Sequence, residues 1–212
     1  MDINKDIAAG VEKGDLDLVK ALVEKALAQR SSAEDILNNG LMIGMNVIGE
    51  KFKAMEVFIP EVLVAARAMN AGMEILKPLL VKAKVKSKGK VVVGTVKGDL
   101  HDIGKNIVGM MLKGAGYDVF DLGTNVSKEQ FLELIKKEKI DILGMSALLT
   151  TTMTYMKDVI DELKKENLKN KVKVMIGGAP LSEAYAVRIG ADGYAPDAAS
   201  AVDLAKSLLR KK

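Results

Sequence analysis

The stretch Val91-Val92-Val93-Gly94-Thr95-Val96-Lys97-Gly98-Asp99-Leu100-His101-Asp102-Ile103-Gly104 decides the fold. A short apolar run rich in β-branched residues reads as a strand, Val91–Val96. A polar turn follows, and the amphipathic run Ile103–Ala115 reads as a helix. The same alternation continues downstream, with strands expected at Asp118–Leu122, Ile140–Ser146, Val172–Ile176 and Gly193–Ala195. Helices are expected at Lys128–Glu138, Thr152–Glu166, Ser182–Ile189 and Asp197–Leu209, with Ser127 and Asp197 as N-caps. Such βα repetition predicts an α/β domain built on a doubly wound, five-stranded parallel sheet. Ligands of such sheets sit at the carboxyl ends of the strands. His101 falls just past the end of the first strand.

Upstream of about residues 84–90 the pattern changes. Apolar residues recur at three and four, as in Leu16, Val19, Leu22, Val23, Ala26 and Leu27. Gly14-Asp15 can start a helix at Leu16, and Ser32 with Asp35 three residues on resembles a capping box. Pro60 suits a first helical position, and Pro78 is expected to kink or end the helix that follows. The expectation is a short leading turn and a four-helix bundle, with helices near 16–29, 33–40, 42–54 and 60–82.

Composition excludes several chemistries. The 212 residues include no Cys and one His, so disulfides, thiolate metal sites, cysteine nucleophiles and multi-imidazole zinc sites are ruled out. The net charge of +4 is small, and the basic residues are interspersed with acidic ones. Lys82–Lys88 and Lys169–Lys171 read as a solvated linker and a turn. Aromatic residues make up 4%, too few for stacking on nucleic acid, so no nucleic-acid partner is expected. The amino terminus lacks a signal-peptide layout, and no apolar stretch is long enough to span a bilayer; a cytoplasmic location without membrane contact is expected. A nicotinamide site is disfavoured because Gly-x-Gly-x-x-Gly is missing after the first strand.

Three motifs lie on successive strand-to-helix turns: Asp99-Leu100-His101-Asp102-Ile103-Gly104, Ser146-Ala147-Leu148 and Gly177-Gly178. Residues 105–145 separate the first two and residues 149–176 the last two. Taken singly, each has a plain reading: a solvated His–Asp pair, a chance tripeptide, a loop. Together, in this order and spacing, they resemble the vitamin-B12-binding module, whose signature is Asp-x-His-x-x-Gly, Ser-x-Leu and Gly-Gly. The resemblance covers residues 90–212 and implies a Rossmann-like domain that binds cobalamin, or a related corrinoid, with its own base displaced. His101 would then be the lower ligand of cobalt, and Asp99 would accept a hydrogen bond from the second ring nitrogen. Methionine synthase continues this relay to a serine where this chain has Thr152. Asp102 belongs to the same motif, and Gly104 would leave space for the nucleotide tail. Ser146 would hydrogen-bond the buried base and Leu148 would pack on it. Gly177, Gly178 and, after the second strand, Gly123 would let backbone approach the tail closely.

The upstream half supports the same resemblance. Gly44–Gly49 followed by Phe52–Pro60 is similar to the helical cap of methionine synthase and of corrinoid proteins from anaerobic methyltransferase systems. Residues 1–86 would form this cap, and Phe52 and Ile59 match the two residues that shield the cobalt-bound methyl group. The Lys-rich 81–89 segment would serve as a hinge. The resemblance implies a non-catalytic methyl carrier, monomeric or homodimeric. Its partners would be a substrate-specific methyltransferase, an acceptor methyltransferase and a reductive activase. Cap and module would account for these 212 residues, and the catalytic barrel is expected on other proteins. Other readings stay open: a B12-binding subunit of an adenosylcobalamin mutase, a B12-dependent sensor or regulator, or a flavodoxin-like interaction domain without cofactor.

Overall fold

The computed structural model describes residues 2–83 and 85–210. Two compact units emerge: Met1–Ser87 with Gly114–Gly116, and Lys88–Lys113 with Tyr117–Lys212. Lys84, within the expected linker and hinge, lies outside the described residues.

The first unit is helical: α1 (Ile3–Lys13), α2 (Leu16–Ala28), α3 (Ala33–Ile36), α4 (Met42–Lys53) and α5 (Ile59–Lys82). The expected leading turn is in fact the 11-residue α1. Asp2 caps it by accepting the Asn4 N–H, Ile7 and Val11 are buried, and the Gly14 N–H closes it on the Gly10 and Val11 carbonyls. Asp15 and Ser32 cap α2 and α3 as their sequence predicts, accepting from the Leu18 and Asp35 N–H groups. The helix expected at 33–40 becomes a π turn over Leu37–Leu41 and runs directly into α4. There Gly40 packs on Ile7, which lies 3.1 Å from where a Cβ would stand. Pro78 does not end α5, which continues to Lys82; the buried stripe Val62, Ala65, Met69 and Leu76 outweighs the lost backbone bond.

The second unit carries β1 (Lys90–Thr95), α6 (Ile103–Gly114), β2 (Asp118–Asp121), α7 (Lys128–Glu138), β3 (Ile142–Ser146), α8 (Thr150–Met153), α9 (Tyr155–Lys165), β4 (Lys173–Gly177), α10 (Glu183–Ile189), β5 (Gly193–Ala195) and α11 (Ala198–Arg210). All strand pairs are parallel, in the order β2-β1-β3-β4-β5. Five of six β1 residues are buried because helices cover both sheet faces, which explains the unbroken apolar run. On one face Val92, Leu143 and Val174 pack with Phe131, Ile135, Met156, Ile160 and Leu163. On the other, Gly109 of α6 lies against Val93 and Val119. The helix expected from Thr152 starts at Thr150 and breaks after Met153, where the Thr154 hydroxyl donates to the Thr151 carbonyl. β3 starts at Ile142, two residues later than its apolar run suggests, because Asp141 bonds the start of β1.

From β1 the chain goes to the edge strand β2, then crosses to β3 on the other side of β1. The connections therefore diverge between β1 and β3 and open a crevice at their carboxyl ends. The loops after these two strands carry the Asp99–Gly104 and Ser146–Leu148 motifs.

Candidate functional site

Thr95 and Val96 end β1, and the next residues turn sharply. The Asp99 N–H donates to the Val96 carbonyl, and Gly98 N–H donates to Asn125 Oδ1 at 2.8 Å. This turn drops the Asp99 carboxylate into the crevice, where it is fully buried. Its Oδ1 accepts the His101 backbone N–H at 3.1 Å and lies 2.7 Å from His101 Nδ1. Its Oδ2 accepts from the Leu148 N–H (2.8 Å), the Leu149 N–H (3.3 Å) and the Thr152 hydroxyl (2.7 Å). Burial by itself opposes ionisation of this carboxyl. The bonds from Thr152, Leu148 and His101 outweigh it and hold the group well below the usual carboxylate range.

An ionised, acceptor-only carboxylate requires the proton of the His101 ring on Nδ1. In the neutral ring Nε2 then keeps its lone pair, on a side chain that is 52% exposed. The Thr95 hydroxyl, itself buried, donates to the His101 carbonyl at 2.8 Å and holds the backbone beneath the ring. His101 is thus clamped at its N–H, its carbonyl and Nδ1, with one ring nitrogen free to bind a metal.

Asp99, His101, Thr152 and Leu148 therefore meet as one hydrogen-bonded group. Leu148 enters it through its backbone N–H, while its side chain is 43% exposed. Ser146 is half-buried, and its carbonyl accepts the Val96 N–H, tying the two loops together. Asp102 is exposed and accepts from Asn106 Nδ2 at 3.0 Å. Phe52, half-buried at the end of α4, and Ile59, exposed at the start of α5, belong to the helical unit; Met55 and Phe58 between them are also exposed.

The glycines divide into two kinds. A Cβ on Gly104 or Gly123 would meet nothing within 4 Å, so both face open space. A Cβ on Gly178 would stand 1.9 Å from the Ala147 carbonyl oxygen, and its φ of +133° is unsuited to other residues. Gly178 is thus required by the backbone of the Ser146–Leu148 loop itself. Gly177 is intermediate, 3.1 Å from the Ala195 carbonyl. Motif reading does not disclose the Leu149 N–H, the Thr95 hydroxyl or the Lys105–Asp121 ion pair near the same loops. Backbone donors leave no trace in a sequence; Thr95, a polar residue in an otherwise apolar strand, was the one visible signal.

The chemistry of this surface fits a corrinoid. Among the described residues no cluster of three or more His, Cys, Asp or Glu side chains gathers to hold a metal, so His101 offers one protein donor. One imidazole suits a metal that brings its remaining ligands with it. Leu100, Ile103, Leu148 and Leu149, all exposed on the same two loops, suit the apolar face of a large planar group, and Gly104 and Gly123 leave room beside it.

Comparison with known proteins gives the same direction. A family described as B12 binding domain matches residues 89–203, and a second family with that description matches residues 3–77. A corrinoid protein of Desulfitobacterium hafniense is 44% identical, covering 100% of this chain and 99% of its own. A dimethylamine corrinoid protein of Methanosarcina acetivorans is 46% identical over 98% of both chains. The crystal structure of the methanol:cobalamin methyltransferase complex from Methanosarcina barkeri contains a chain with a TM-score of 0.90 and 33% identity, covering 99% of this chain and 80% of that one. Among the described residues no helix is long and apolar enough to cross a membrane.

Proposed function

The chain belongs to the B12-binding corrinoid proteins, and on that footing we propose that it carries a methyl group from a substrate-specific methyltransferase to an acceptor methyltransferase. When bound, the corrinoid supplies a metal centre that accepts the methyl group and yields it again. The observation that carries the proposal is the Asp99–His101 pair, which leaves a single exposed imidazole nitrogen at the mouth of the crevice.

Each residue has a part in this reading. His101 Nε2 would hold the metal. Asp99 holds the proton on Nδ1, which makes Nε2 a better donor, and Thr152 steadies the charge on Asp99. Ser146 and Leu148 receive the nucleotide tail beside Gly104 and Gly123, while Gly177 and Gly178 shape the loop that meets it. Asp102 braces the start of α6 next to His101. Residues 90–212 form the cofactor domain. Residues 1–86 form the cap, in which Phe52 and Ile59 keep the transferable group from water. Methyltransferases are the expected partners because relatives are named for dimethylamine, and a similar chain sits in a methanol:cobalamin methyltransferase complex. A reductive activase would restore the carrier after adventitious oxidation.

The test is the visible spectrum of protein reconstituted with hydroxocobalamin. The wild type is expected to give a histidine-on spectrum with the cofactor's own base displaced, and His101→Ala is expected to lose it. A variant spectrum identical to the wild type would remove His101 from the role.

A further inference from the structure

We propose that the Lys105–Asp121 ion pair is a positioning element for the His101 loop. Lys105 lies in the first turn of α6, yet it is only 5% exposed. A lysine is rarely buried unless paired, and here all three ammonium protons have partners. Nζ donates to both Asp121 oxygens and to Asn106 Oδ1, each at 2.6 Å. Asp121 closes β2, so the pair ties the start of α6 to the neighbouring strand end.

Two chains of bonds leave this pair and converge on the backbone that follows the His101 ring. The first passes from Lys105 to Asn106, whose Nδ2 donates to Asp102 Oδ2 at 3.0 Å and whose N–H donates to the Asp102 carbonyl. Asp102 is the residue that follows His101. The second starts at Asp121 Oδ1, which accepts the Gly123 N–H at 2.8 Å. The Gly123 carbonyl accepts the Thr95 N–H, and the Thr95 hydroxyl donates to the His101 carbonyl. One ion pair therefore holds, by two routes, the carboxyl side of the residue whose ring must be aimed. The Asp99 carboxylate sets the ring's tautomer, and the Lys105–Asp121 pair sets where the backbone under it stands. For the cofactor, this role rests on the functional reading above; the hold on the loop does not.

Removing Asp121, itself 40% exposed, would strand the buried Lys105 ammonium, whereas replacing both partners of a pair by apolar side chains is commonly tolerated. The test therefore uses the double variant Lys105→Met with Asp121→Leu. A second variant, Asn106→Ala, removes the side-chain bonds of the first chain and leaves the ion pair in place. Amide hydrogen exchange is read on the cofactor-free protein, and hydroxocobalamin affinity is measured separately. Both variants are expected to raise exchange of the His101 amide about tenfold while exchange in β4 stays as in the wild type. Both are expected to weaken cobalamin binding by about tenfold, the lower end of effects seen when a metal ligand loses its outer support. Where the double variant melts well below the wild type, Asn106→Ala decides alone. Wild-type exchange of the His101 amide in the double variant, or in Asn106→Ala where the double variant melts low, would overturn the proposal. Faster exchange in a protein whose wild type binds no cobalamin would sustain the hold on the loop and overturn the carrier function instead.

Discussion

His101 Nδ1 lies 2.7 Å from Asp99 Oδ1, and the same oxygen accepts the His101 backbone N–H at 3.1 Å. The ring and its own main chain thus converge on one atom of a buried carboxylate. This doubles the geometric constraint on the imidazole, since rotating the ring away would not release the backbone. Three further donors on the other oxygen keep the carboxylate charged, so its acceptor role is not interchangeable with that of a neutral amide.

Asp99→Asn turns that argument into a measurement. The amide oxygen would be drawn to the Leu148 N–H and the Thr152 hydroxyl, which leaves the NH2 group facing His101 Nδ1. The ring would then have to accept on Nδ1 and carry its proton on Nε2, the tautomer that cannot bind a metal. Cobalamin affinity should fall 10–100-fold without vanishing, because the ring can still tautomerise. Affinity equal to the wild type would show that Asp99 does not control the ring.

Thr152 is separable into its hydroxyl and its shape. The hydroxyl has one proton and two acceptors in reach, Asp99 Oδ2 at 2.7 Å and the Leu149 carbonyl at 3.1 Å; the shorter, charge-assisted bond takes it. Thr152→Val should cost about 2 kcal/mol in urea unfolding, as expected for a lost hydrogen bond to a charged group. Thr152→Ser keeps the donor and should stay within about 0.5 kcal/mol of the wild type. Equal losses in the two variants would assign the effect to packing rather than to the bond.

The parts legible in the sequence were those with a period or a spacing. The βα alternation placed all five strands, and Ser127 and Asp15 marked their helix starts. Motif and resemblance single out Asp99, His101 and Thr152, and the fold brings them within hydrogen-bonding distance. What stayed hidden depended on the third dimension. The π turn over Leu37–Leu41 reflects packing on Ile7, and the α8–α9 break reflects one threonine hydroxyl. The burial of Lys105 depends on Asp121, sixteen residues on, which no local pattern connects to it. Gly178 was read as a gap left for a ligand, although its tightest neighbour is the Ala147 carbonyl.

Acid sensitivity should follow the lowered ionisation range of Asp99. With the folded-state value depressed, the group's contribution to stability is complete above its unfolded value of about 4. It declines as the pH falls toward the folded value, because the unfolded chain takes up the proton first. The stability gap between wild type and Asp99→Asn should therefore narrow as the pH falls below about 4. Urea unfolding of both proteins from about pH 5 downward measures it. A gap that widens below about pH 4 would have the wrong sign for a carboxylate held in its charged form.

Gly104 and Gly178 give opposite expectations for the same change to alanine. At Gly178 the new Cβ would collide with the Ala147 carbonyl oxygen on a backbone already at positive φ, and strain of this kind costs about 3 kcal/mol. Gly178→Ala should thus lower the melting temperature of the cofactor-free protein by several degrees. At Gly104, in the first turn of α6, the new Cβ would meet nothing, and alanine favours the helix by up to about 1 kcal/mol. Gly104→Ala should leave the cofactor-free protein as stable as the wild type or slightly more so. If the open space beside Gly104 is where the cofactor tail lies, the same variant should bind cobalamin more weakly, so that stability and affinity move in opposite directions. Undiminished binding by Gly104→Ala would place the tail elsewhere on the domain.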